Sequence, residues 1–178
     1  IGGQGDVAVY DHILVRTVDL ALSGTGCDAG RQSVPGFEGL QIFDFSDPAD
    51  ISASDLLGTV ALDCGSHTVT LVPDEPNDRV LLYVGSSFPG FFGSTPYGTE
   101  CRRDHDKFTV VEIPLADPAA ARSLPSVSMR GVSQRDPTAP AVTTNQCHDI
   151  AAFPDIDRAI CAGVPYAVML DISDPARP

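Results

Sequence analysis

Leu40 to Pro48 reads LQIFDFSDP, an apolar run closed by Asp-Pro with Ala49 behind it. The same ending follows an apolar run twice more, in Phe108 to Pro118 (FTVVEIPLADP) and Ala167 to Pro175 (AVMLDISDP). A second recurrence runs alongside, because His67-x-Val-x-x-Val-Pro73-Asp74 and His148-x-Ile-x-x-Phe-Pro154-Asp155 share their spacing. Copies of a unit built from short strands and turns point to an all-β repeat fold, a β-propeller or β-solenoid, since one such unit alone cannot bury its apolar faces. Proline at each Asp-Pro corner forbids further ladder donation and ends the strand. The middle copy reads as two residues longer at its exit (Ile113-Pro114-Leu115-Ala116 against Phe45-Ser46), so a bulged or longer exit is expected there.

Apolar or alternating runs bounded by Gly, Pro or Asp divide the chain further. The first unit reads as strands Asp6 to Tyr10, His12 to Asp19, Leu40 to Ser46 and Leu57 to Leu62. The second reads His67 to Val72, Arg79 to Gly85, Phe108 to Leu115 and Ser126 to Met129. The third reads His148 to Phe153, Arg158 to Ala162 and Ala167 to Ile172. Residues 1–178 are thus expected to be part of one β-propeller domain, a partial propeller with about three four-stranded blades over 6–62, 67–129 and, incomplete, 148–178. Closed propellers have about four to eight blades, so the remaining ones are expected from the rest of a parent chain or from another chain.

Sixteen Gly and 15 Pro, spread along 178 residues, supply the turns such a chain needs and leave no room for long helices. With 24 acidic against 11 basic residues the net charge is -13, which repels nucleic-acid phosphates and anionic membrane surfaces. No run reaches the roughly 18 to 20 apolar residues of a membrane span. The chain opens on Ile1 without a basic start and apolar run, so an upstream segment was either removed or lies outside it. Five cysteines without any C-x-x-C spacing read as disulfides rather than a zinc ribbon.

The segments CGSHTVTLVPD (64–74), RVLLYVGSS (79–87), VVEIPLADPAAAR (110–122), CHDIAAFPD (147–155) and MLDISDPARP (169–178), with GLQIFDFSDP, resemble the LVIVD-repeat proteins of secreted bacterial type. The resemblance covers nearly the whole chain. It implies a propeller-like fold and a secreted or cell-envelope location, and it carries no single activity.

In a propeller the first strand of each blade lines the central channel, which would set His67 and His148 at equivalent places in neighbouring blades. With Asp149 or Asp6 beside them they make a transition-metal site or a proton-transfer pair; alternatively each imidazole fixes a neighbouring backbone. Pro73 to Asp78 and Pro154 to Asp157 are turns closed by their own Asp and Asn side chains, with calcium as the other reading of their carboxylates. Matching loop positions pair Cys27 with Cys64 and Cys101 with Cys147, leaving Cys161 as a buried thiol, and oxidised pairs suit a secreted or envelope protein. Phe91, Phe92 and Tyr97 offer an aromatic surface for protein or carbohydrate or pack on the blade face, and His105 lies in the charged loop Arg102 to Lys107. No G-x-S-x-G, Walker or H-E-x-x-H motif occurs. The expected role is a secreted or surface β-propeller that binds or scaffolds without catalysis. The alternatives are a metal-dependent, hydrolase-like enzyme using His67 and His148, or a structural subunit of an extracellular filament or surface layer.

Overall fold

A computed structural model describes residues 5–22, 25, 36–62, 66–85, 107–129, 146–164 and 166–178. Within them the chain is all-β, and its only helical segments are three-residue 3₁₀ turns. Sheet 1 holds β1 (Val7–Tyr10), β2 (Ile13–Leu22), β3 (Phe37–Asp44) and β4 (Leu56–Ala61) in sequential antiparallel order. Sheet 2 holds β5 (Thr68–Asp74), β6 (Arg79–Gly85), β7 (Lys107–Pro114) and β8 (Arg122–Ser123), with β9 (Val127–Ser128) also on β7. Sheet 3 holds β10 (Gln146–Phe153), β11 (Arg158–Val164) and β12 (Val168–Asp171). The expected strand Ser126 to Met129 is reduced to β9, which bonds β7 at Lys107–Phe108, and β8, a two-residue piece ahead of it, bonds β7 at Val111–Glu112.

Side chains alternate between the two faces of a strand, and β6 of sheet 2 is apolar and buried at every step from Val80 to Val84, as a strand covered on both sides must be. Val80, Leu82 and Val84 of β6 join Ile13, Val15, Leu40 and Ile42 of sheet 1 in one core. Leu81 and Tyr83, the intervening residues, join Ile150, Ala159, Cys161 and Leu170 of sheet 3 in another. Sheet 2 is therefore packed between its neighbours. We call the side of each sheet that meets the next one in sequence its forward face, and the other its rear face. First strands touch in the same order, with β5 against both β1 and β10.

One bond recurs in all three sheets and fixes how they correspond. Phe45 N donates to His12 O, Leu115 N to Asp78 O, and Ile172 N to Asp157 O. Each tie joins the start of the second strand to the exit of the third, so LQIFDFSDP, VVEIPLADP and AVMLDISDP superpose without an insertion. The expected extra length in the middle copy is thereby corrected: Pro114 takes the place of Asp44 and Asp171, opposite Arg79, Ile13 and Arg158. Asp44 and Asp171 each accept from the backbone N–H two residues on (Ser46, 2.9 Å; Ser173, 3.0 Å), so these residues, and not the Asp-Pro corner, end the strand.

The second and third corners do something else, because each reaches the preceding sheet. Ala119 lies against Gly58 of β4, where an added Cβ would come within 3.2 Å of the Ala119 carbonyl. The Pro175 carbonyl accepts the Tyr83 hydroxyl of β6 at 2.8 Å.

Candidate functional site

The turns that enter β6 and β11 are single 3₁₀ turns, Glu75–Asn77 and Pro154–Ile156, closed by left-handed Asp78 (φ 51°) and Asp157 (φ 53°). Aspartate is among the few residues that tolerate that backbone. Counted from these turns, β5 runs from Thr68 to Asp74 and pairs Thr68 with Gly85, whereas β10 pairs Gln146 with Val164 and ends at Phe153. Gln146 is thus the counterpart of Thr68. The ladder of β10 skips His148 between Cys147↔Gly163 and Asp149↔Ala162, which makes His148 the extra residue of a β-bulge.

His67 and His148 are therefore not equivalent positions, although their sequence spacing is, and this corrects the sequence reading. They meet nonetheless. Their ring centroids lie 5.0 Å apart at 60°, since the bulge re-aims a residue that a regular strand would have placed elsewhere. The Thr68 hydroxyl donates to the His148 carbonyl at 2.7 Å, and the Thr70 hydroxyl to that of Ile150, pinning β10 to β5.

Around the pair stand three carboxylates. Asp19 Oδ2 lies 3.3 Å from His67 Nδ1, with both side chains buried. Asp6 accepts the Val69 N–H at 3.2 Å and so ties sheet 1 to β5, while Asp149 accepts the N–H of Ile150 at 2.8 Å. The bond to Asp19 raises the His67 pKa above its ordinary 6.5; burial opposes this, and the charges of Asp19, Asp149 and Asp6 add to it. The cluster thus favours the protonated form of His67. Ser66 supplies no nucleophile, as its hydroxyl accepts from Val18 N (3.0 Å) and donates to the Gly39 carbonyl. Among the described residues no group of three or more His, Cys, Asp or Glu side chains is placed to hold a metal ion. Asp74, in the loop read as a calcium alternative, is committed to Asn77 (2.8 Å) and Arg79 (2.7 Å).

Sequence reading missed a second charged place. A cleft of about 520 Å³ opens between sheet 2 and the carboxy-terminal corner, lined by Arg79, Glu112, Arg122, Ser126, Asp174 and Arg177 over an apolar floor that includes Leu124 and Val127. Glu112 bridges Arg122 (Nη2, 3.0 Å) and Arg79 (Nη1, 3.5 Å), and Arg177 Nε meets Asp174 at 2.7 Å. The Arg177 bond is the main force holding the Asp174 carboxyl below its ordinary value, and the bond to Asp74 pushes the Arg79 guanidinium further up. Arg122 and Arg177 are exposed, and a guanidinium has five N–H donors, of which these carboxylates use only part. Such an opening suits a carboxylate, sulfate or phosphate group on a ligand with an apolar portion.

Cys147 is bonded to Cys161, with Cα atoms 5.5 Å apart. This corrects both the pairing of Cys147 with Cys101 and the reading of Cys161 as a free thiol. The bond crosses diagonally between β10 and β11 beside the bulge, on the face turned to sheet 2. Cys27, Cys64, Cys101, Phe91, Phe92, Tyr97 and His105 lie outside the described residues. No helix among the described residues is long and apolar enough to cross a membrane. No protein-family model, curated protein or solved structure matches the chain.

Proposed function

We propose that the chain is a three-blade portion of a β-propeller of the LVIVD-repeat kind, secreted or held at the cell surface, which binds or scaffolds and has no chemistry of its own. The observation that carries this reading is the face-to-face packing of three corresponding sheets with their first strands in contact. Rings of that design present loops and clefts on a rigid support, and the same support serves many unrelated ligands. The Cys147–Cys161 bond suits an oxidising compartment. The arginine-edged cleft is the proposed contact for an anionic group, and it gathers cations on a chain whose net charge is -13.

The test is equilibrium binding of the purified chain to arrayed extracellular proteins and acidic glycans. Saturable binding that weakens at least tenfold in Arg122→Glu and Arg177→Glu, with no turnover of generic ester, peptide or glycoside substrates, is the expected outcome. A stoichiometric transition metal that disappears in His67→Ala and His148→Ala, together with hydrolytic activity, would overturn it in favour of an enzyme.

A further inference from the structure

We infer that the Cys147–Cys161 bond is a redox-sensitive clasp on the His148 bulge, so that breaking it lets the first residues of β10 leave their seat and parts the two imidazoles. The inference does not rest on the propeller reading and goes beyond it.

The alternation of side chains along β10 is the ground for it. Cys147 and Ile150 are three residues apart, and a regular strand would send them to opposite faces. Both are nevertheless buried in the core that sheet 3 shares with sheet 2. Ile150 is paired directly with Cys161, which is 0% exposed in the same core. A regular ladder would therefore carry Cys147 to the forward face of sheet 3 while Cys161 stayed on the rear face, and a disulfide cannot pass through a sheet. The extra residue at His148 brings both sulfurs to one side. The bond exists only with the bulge.

Two arrangements of this segment thus compete. Continuing the Asp149↔Ala162 pairing without a bulge would set His148 opposite Gly163 and Cys147 opposite Val164, which adds a ladder pair and makes the bond impossible. Against that stand the disulfide and the seat on sheet 2. The seat consists of the Thr68 hydroxyl on the His148 carbonyl at 2.7 Å and the open place at Gly85, where a Cβ would lie 2.7 Å from the His148 carbonyl oxygen and 3.0 Å from that of Cys147. The disulfide is the covalent tie of the set.

Release reaches His67 through its neighbours. His67 is faced by Asp19 from β2, by Asp6 ahead of β1, and by His148 and Asp149 from β10. Withdrawing the first residues of β10 removes the charge of Asp149, one of those that favour the imidazolium, so His67 holds its proton less tightly once the bond is open. Linkage is reciprocal, and a proton on His67 favours the closed bond. In the opening step a dithiol supplies two electrons and two protons, becomes its own disulfide, and leaves Cys147 and Cys161 as thiols.

The test compares the wild-type 178-residue chain with the double variant Cys147→Ala, Cys161→Ala, which removes this bond alone without a reductant having to reach buried sulfur. In the wild type, NMR should show ring-to-ring contact between His67 and His148. In the variant that contact should vanish, the amides of residues 146–149 should exchange about tenfold faster or more while those of β6 and β7 keep their rates, and the His67 midpoint should fall by about half a pH unit. Dithiothreitol should produce the same three changes in the wild type, with alkylation recovered at Cys147 and Cys161. Ring contact and exchange unchanged in the open form, a His67 midpoint that stays or rises, a bond that dithiothreitol leaves closed in the folded chain, or loss of the whole circular dichroism spectrum in both open forms would each overturn the inference.

Discussion

Leu81 and Leu82 are neighbours in β6, both 0% exposed, and their side chains enter different cores: Leu81 the one shared with sheet 3, Leu82 the one shared with sheet 1. Truncating either to alanine removes three methylene-scale groups and leaves a cavity that flanking sheets cannot collapse without shifting. Buried Leu→Ala changes cost about 2 to 5 kcal/mol, so each variant should lose about 3 kcal/mol. For a chain of this length about 1 kcal/mol corresponds to roughly 2 to 4 °C, which gives a fall in Tm of about 6 to 12 °C in each case. Leu57→Ala, at a position 37% exposed on β4, is the control and should cost under about 1 kcal/mol. Urea titration followed by circular dichroism measures all three. If Leu82→Ala cost no more than Leu57→Ala, sheet 1 would not lie on sheet 2; the same result at Leu81 would detach sheet 3.

Three further outcomes are expected. A histidine whose folded pKa is raised stabilises the fold fully below its unfolded value near 6.5 and loses that contribution as pH rises through the folded pKa, so Asp19→Asn should destabilise more at pH 5.5 than at pH 9. An NMR titration placing the His67 pKa below 6.5 would contradict this. Cys161→Ser should cost about 3 kcal/mol by opening the loop of 14-residue separation, and non-reducing peptide mapping should recover Cys147 joined to Cys161. Tyr83→Phe removes the hydroxyl bonded to the Pro175 carbonyl and should cost about 1 kcal/mol, with recovery of full wild-type stability counting against the contact.

The sheets were legible because a largely apolar run of seven to nine residues followed by Asp-Pro is a local pattern, and the strands it implies lie within a few residues of β3, β7 and β12. Spacing misled where one ladder contained an irregularity. His67 and His148 match in sequence, but β5 ends at Asp74 and β10 at Phe153, and the bulge at His148 leaves no mark in the residue types around it. The pairing of Cys147 with Cys101 fails for a different reason. Matching loop positions need not be contacts, while Cys147 and Cys161 flank the Pro154–Ile156 turn and so lie diagonally across one hairpin. Their position astride that turn was the available signal. The arginine cleft draws on residues from 79 to 177, and no linear pattern joins them.

The way the second and third Asp-Pro-Ala corners rest on the preceding sheet has an evolutionary consequence. A duplicated gene segment that encodes one sheet also encodes the fastener for the sheet upstream, as Ala119 does for Gly58 and Pro175 for Tyr83. Arrays built this way lengthen by copying without inventing a new joint, and selection can then vary the loops of each copy while the joints stay fixed.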